Sequence, residues 1–207
     1  MAADESIPSP ARLAAGGLAL VGLAGLVLQT IASTEMAGSV PAALWAMLRF
    51  FTIISNLLTF TLFTAIALGR HDAFAPRRLA GIAVIMGLVG LVYATLLRNI
   101  EHPAGLAQAA NLILHYAVPL LVALYWLLFA PRGHLRAGDP FRWALVPVVY
   151  LPYALLRAGL DGRYAYPFID VDRLGWTQVA LNAAGLAAAF LIAGEALVWL
   201  DRRLARR

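Results

Sequence analysis

Arg49-Phe50-Phe51-Thr52-Ile53-Ile54-Ser55-Asn56 sets an arginine, a threonine, a serine and an asparagine inside a stretch, Ala43–Leu68, that is otherwise apolar. Arg49, Thr52 and Asn56 are spaced i, i+3, i+7, so a helix through them carries all three on one face. A stretch of this length and apolarity reads as a membrane span, since ~20 apolar residues cross a bilayer. An ionisable residue at membrane depth is costly and faces a bundle interior or a wet cavity rather than lipid. The rest of the chain has to supply that interior.

Composition agrees with a membrane chain. The 207 residues are 62% hydrophobic and 13% charged, against about 45–50% apolar and about 25% charged in soluble domains. The mean hydropathy is +0.78. The excess positive charge is arginine without lysine. It gathers at the ends of apolar runs, which is the pattern of membrane orientation and not of a phosphate-binding face, so no nucleic-acid partner is expected. The absence of cysteine excludes disulfides, thiolate nucleophiles and sulfur-ligated metals.

Working outward, a first span is predicted over Leu13–Ala32. It is too long for the ~7–15-residue apolar core of a signal peptide. Four more follow Ala43–Leu68: Leu79–Leu97, Leu106–Ala130, Arg142–Leu160 and Trp176–Leu200. Connections are short and carry Gly, Pro and Asp, except residues 161–175, which are long enough to hold structure of their own. No internal repeat is visible, so the inverted-repeat sign of many transporters is missing. The expected architecture is all-α: one integral membrane six-transmembrane-helix bundle over residues 1–207, with short tails at 1–12 and 201–207. With both termini cytoplasmic, eleven arginines fall inside and five outside, which favours that orientation.

At ~1.5 Å of rise per residue, Thr52 lies ~12 Å below the outer end of its span, His115 ~13 Å, Tyr153 ~10 Å and Asn182 ~9 Å. Gln108, Asn111 and His115 form one stripe; so do Tyr150, Tyr153 and Arg157; so do Gln178 and Asn182. Taken singly, such residues read as hydrogen-bonding glue between helices. Taken together, their shared depth and side point to one polar cavity open to the outer leaflet.

Thr52 and His115 supply a nucleophile and a base. A threonine hydroxyl needs a base to become reactive, and a neutral imidazole can take that proton and return it to a leaving group. Asn56, Asn111, Tyr153 and Arg49 are candidate donors for a developing oxyanion. Ser55 and Asn182 complete the polar set. Arg49 or Arg157 suits a carboxylate or phosphate head group. An acid to orient His115 would have to fold back from an outer loop: Glu101, Asp161, Asp170 or Asp172. His115 is the one intramembrane histidine, which argues against a haem clamp, and no zinc or di-iron spacing is present. Neither a metal nor another cofactor is expected. Tyr166-Pro167-Phe168 reads as an interfacial anchor, with a lid over the outer mouth as the alternative.

The chain also resembles a family. Phe51-Thr52-Ile53-Ile54-Ser55-Asn56-Leu57, Leu114-His115-Tyr116-Ala117-Val118-Pro119-Leu120, Trp126-Leu127-Leu128-Phe129, Pro131-Arg132-Gly133, Gly162 to Tyr164, Tyr166-Pro167-Phe168-Ile169-Asp170 and Gly194-Glu195 carry the resemblance. It is to the bacterial six-helix membrane family called Pr6Pr, which is similar to the eukaryotic androgen-induced FAR-17a-type membrane proteins. Those relatives are threonine hydrolases of fatty acid esters of hydroxy fatty acids. The resemblance implies a lipid-ester hydrolase of a bacterial inner (plasma) membrane, with Thr52 as nucleophile and His115 as base. Membrane lipids and a lipid ester would be its partners; oligomeric state is left open. Where the eukaryotic pattern has an acid three residues after the threonine, this chain has Ser55. The alternative expectation is a lipid or small-molecule binding or transport protein that uses the same cavity without covalent chemistry.

Overall fold

The computed structural model describes residues 7–100 and 102–206. Among these the chain is helical and has no strand. Helix α1 (Ser9–Ala37) begins with proline in its first turn and ends at Gly38, whose positive φ of 76° lets its N–H return to the Thr34 carbonyl. The predicted first span is thus extended at both ends, and Arg12, assigned to a tail, is already helical. Helix α2 (Val40–Met47) is capped by Ser39, which accepts from the Ala42 N–H.

The predicted continuous second span is broken. Helix α3 (Phe51–Ala67) follows α2 after three residues at an angle of 98°. Neither glycine nor proline marks the break. Its cause lies in α8 (Leu145–Asp161). Bending frees carbonyls at the end of α2, and a buried free carbonyl must find a donor. Tyr150 donates to the Arg49 carbonyl at 2.7 Å, Tyr153 to Leu48 at 2.9 Å and Arg157 to Trp45 at 2.6 Å. One stripe of α8 therefore caps the broken helix.

Helix α4 (Pro76–Val92) runs on into a π-helical turn, Tyr93–Leu97. Helices α5 (Gly105–Leu112) and α6 (Val118–Phe129) are joined through a second π-helical turn, Ile113–Ala117. The short α7 (Asp139–Trp143) leads into α8. A 3-10 turn, Pro167–Ile169, precedes α9 (Val171–Leu204), which breaks at Gly175. Five segments are long and apolar enough to cross a membrane: Ser9–Ala37, Pro76–Leu97, Gly105–Phe129, Asp139–Asp161 and Val171–Leu204. The bent α2–α3 pair makes a sixth if it counts as one span. Large apolar side chains such as Leu13, Leu160, Ile192 and Trp199 stand exposed on the outer face of the helices, as lipid-facing side chains would.

Helix α1 packs along α3 and α5, and α4 packs on α6 and α9. The α4–α7 contact is tight at Gly81, where an added Cβ would sit 2.7 Å from Trp143 Cδ1. Gly81→Ala is expected to destabilise the fold by about 1–3 kcal/mol, as overpacking against a buried ring does; thermal unfolding in detergent measures it. At the arginine-rich end, Asp139 is buried between Arg77 and Arg142, and Asp201 accepts from the N–H groups of Gly133 and Leu135.

Candidate active site

The bend that breaks the second span puts Thr52 in the first turn of α3, where helix formation has just resumed. Its side chain is buried, and its Oγ1 lies 3.1 Å from His115 Nε2. The other ring nitrogen, Nδ1, lies 3.3 Å from the Asn111 carbonyl. A carbonyl only accepts, so Nδ1 carries the proton in this contact. That leaves Nε2 free to accept from the Thr52 hydroxyl. Thr52, His115 and the Asn111 carbonyl therefore form one chain of contacts.

Asn56 braces the two halves. Its amide donates to the Thr52 carbonyl at 2.8 Å and to the Leu114 carbonyl at 3.3 Å. It thus ties the α3 turn bearing Thr52 to the π-helical turn bearing His115. Ser55, one turn from Thr52, is fully buried. Thr52 N–H donates to the Tyr166 hydroxyl at 3.4 Å.

A cavity of about 360 Å³ adjoins Thr52. Its walls are almost wholly apolar: Val89 and Val92 of α4, Leu151 of α8, Ile169, and Ala183 and Phe190 of α9. Val148 of α8 and Ala184 and Ala187 of α9 line it and are also exposed. Its mouth therefore lies between α8 and α9, on the apolar outer face. Thr52, Tyr150 and Tyr166 bring the hydroxyls of its lining.

This corrects the expected polar cavity. Of the predicted polar set, Thr52 and Tyr150 line the cavity; Arg49, Ser55, Asn56, Asn111, His115, Tyr153, Arg157 and Asn182 are not among its lining residues. Most are committed to the fold, because a buried polar group is cheapest when a nearby carbonyl or charge satisfies it. Arg49 pairs with Asp161 at 2.8 Å and donates to the Arg163 carbonyl at 2.9 Å. Arg157 donates to Trp45 and Tyr153 and lies over the Trp45 ring. Neither arginine is left over for a lipid head group. Asn182 pairs with Gln178 and donates to the Phe168 carbonyl, holding the 3-10 turn to α9. Asn111 donates to the Tyr93 hydroxyl at 2.5 Å.

Among the described residues, the loop acids that could have oriented His115 are engaged elsewhere or make no contact with it. Asp161 is taken by Arg49, Asp170 caps α9 at the Arg173 N–H, and Glu101 lies outside the described residues. A backbone carbonyl faces Nδ1 instead. Tyr166, expected as a surface anchor, is 7% exposed, with Phe50 set edge-on and Phe168 stacked against it. It covers the Thr52 turn.

Sequence reasoning passed over Tyr93. Its ring stacks on His115, with centroids 4.1 Å apart and planes 26° apart. An aromatic residue in an apolar span gives no signal that it faces a histidine. Among the described residues, no three His, Asp or Glu side chains gather as a metal site. Comparison of the chain with protein-family models, with curated proteins and with solved structures finds no match.

Proposed function

We propose that this protein is an integral membrane hydrolase of lipid esters, with Thr52 as nucleophile and His115 as general base and acid. The observation that supports this most is the 3.1 Å contact between Thr52 Oγ1 and His115 Nε2 at the end of an apolar cavity. The sequence resemblance to the Pr6Pr family points the same way. In this reading the bent α2–α3 pair counts as one of six spans, both termini are cytoplasmic, and the membrane is a bacterial inner membrane.

The acyl chain enters sideways between α8 and α9 and fills the cavity, which brings its ester carbonyl to Thr52. His115 Nε2 takes the hydroxyl proton as Oγ1 bonds to the acyl carbon. The tetrahedral intermediate collapses, and the alcohol leaves with the proton from Nε2. Water then gives a proton to Nε2 and attacks the acyl carbon. The bond between the acyl carbon and Oγ1 breaks, Oγ1 takes the proton back from Nε2, and a fatty acid is released. The Thr52 N–H, which faces the Tyr166 hydroxyl at 3.4 Å, is the candidate oxyanion donor once substrate displaces that hydroxyl. The cavity's lining, apolar apart from three hydroxyls, suits the neutral acyl chain and ester of a fatty acid ester of a hydroxy fatty acid or a related lipid ester.

Filling the cavity tests the reading. Ala183→Phe is expected to leave unfolding temperature within a few degrees of wild type and to lower hydrolysis of long-chain esters at least tenfold, with acetyl esters less affected. An equal loss for both chain lengths would count against the cavity as the acyl site. A lipid binder without chemistry is favoured by the same apolar walls. It predicts that Thr52→Ser and Thr52→Ala bind lipid alike and that neither they nor wild type hydrolyses ester.

A further inference from the structure

We infer that Tyr93 is a positioning residue for His115, acting with Asn111 where, among the described residues, no acid meets the imidazole. Its catalytic purpose rests on the hydrolase reading; its geometry does not. Three features meet at this point. The Tyr93 ring stacks on the imidazole at 4.1 Å, which fixes the plane of the ring. The Tyr93 hydroxyl accepts from the Asn111 amide at 2.5 Å, and the carbonyl of the same Asn111 faces His115 Nδ1 at 3.3 Å. Tyr93 thus stacks on the imidazole and also holds the side chain of the residue whose backbone carbonyl faces Nδ1.

The backbone is shaped for this meeting. Tyr93 begins one π-helical turn and His115 lies at the centre of another. Such turns are rare and occur disproportionately at functional sites. Each widens its helix locally and re-aims the side chains that follow. One turn before Tyr93, Gly90 lets α4 approach: an added Cβ would lie 3.3 Å from the His115 carbonyl and 3.4 Å from Pro119 Cβ. Tyr116 closes the far side of Tyr93, its ring edge-on at 5.4 Å. Tyr93 itself is 3% exposed and does not line the cavity, so it works through His115 and not on the substrate.

In a catalytic triad the acid fixes the ring and its tautomer and stabilises the imidazolium. Here the stack fixes the ring and the Asn111 carbonyl fixes the tautomer. The carbonyl supplies less charge than a carboxylate would.

The test is nitrogen NMR of histidine-labelled protein in lipid nanodiscs, with His115 assigned by comparison with His115→Gln. Wild type is expected to hold His115 as one neutral tautomer, protonated on Nδ1. Tyr93→Leu removes stack and hydroxyl and is expected to give both tautomers in exchange, while Tyr93→Phe keeps the stack and is expected to shift the ratio less than Tyr93→Leu does. If Tyr93→Leu does not fold, Tyr93→Phe and Asn111→Ala carry the test. Each removes the contact between the Asn111 side-chain amide and the Tyr93 hydroxyl and leaves the Asn111 backbone carbonyl in place; each should shift the tautomer ratio by up to about tenfold, the worth of one hydrogen bond, and the double variant should shift it no further. In ester turnover, Tyr93→Leu is expected to lower kcat by about 10–100-fold with KM little changed. A single unshifted tautomer in the folded Tyr93 variants would overturn the inference, whatever the activity. Exchanging tautomers in Tyr93→Leu together with an inactive wild type would uphold the positioning role and sink the hydrolase reading alone.

Discussion

Thr52→Ala is expected to lower ester hydrolysis by about 10⁴-fold or more, the scale seen when a nucleophile that acts as a unit with its base is removed. Its stability should change little. The variant loses one hydrogen bond, to His115 Nε2, worth about 1 kcal/mol net. His115 keeps its contact with the Asn111 carbonyl and its stack on Tyr93, so the base stays in place with nothing to activate. Thr52→Ser retains the hydroxyl but loses the methyl group that limits its rotation in the first turn of α3. It should keep measurable activity, reduced by tens-fold. A kinetic assay on purified, folded variants checks both numbers. Equal activities of wild type and Thr52→Ala would remove the hydrolase from consideration.

Arg157→Leu is expected to cost about 3 kcal/mol of stability, because the fold uses this arginine to hold a broken helix. It donates to the Trp45 carbonyl at 2.6 Å and to the Tyr153 hydroxyl at 3.0 Å. Its guanidinium lies 3.7 Å from the Trp45 ring centroid. Leucine fills similar space and leaves that carbonyl without a donor, at a cost of about 1–3 kcal/mol; the lost cation–π contact adds about 1 kcal/mol. Arg157→Lys should recover only part, since an ammonium cannot donate to both oxygens while stacking on the indole. Unfolding by heat or by denaturing detergent measures the loss. Activity should fall with it, because the same break sets the direction from which Thr52 leaves the bend. A head-group-binding arginine would behave differently, with lipid affinity falling and stability unchanged.

These two predictions mark what was legible in the sequence. The helices and their places follow from apolar runs alone, because hydrophobic length is a local property. The pairing of Thr52 with His115 was suggested by depth counted along two straight helices, but the count for Thr52 ran through the 98° break between α2 and α3, and hydrogen-bond reach was not legible. Nor was the bend between α2 and α3. Leu48-Arg49-Phe50 holds no glycine or proline, and the donors that make the bend tolerable, Tyr150, Tyr153 and Arg157, lie about a hundred residues later. The stripe of α8 was visible as a stripe, but spacing does not say whether it faces a ligand or a carbonyl. Arg49 shows the same limit from the other side. Its place inside an apolar segment reads as functional, and only the return of the 161–163 loop supplies Asp161 and the Arg163 carbonyl that satisfy it. Tyr93 needed the three-dimensional structure outright, since stacking on His115 leaves no trace in hydropathy.

The measurement that tests the central claim most directly is fluorophosphonate labelling of the purified protein, read by intact mass and peptide mapping, with His115→Ala and Thr52→Ala beside wild type. The account predicts one adduct in wild type, on Thr52, none in Thr52→Ala, and labelling slowed at least a hundredfold in folded His115→Ala. An adduct on Ser55 or elsewhere, or equal labelling of Thr52 with and without His115, would contradict it.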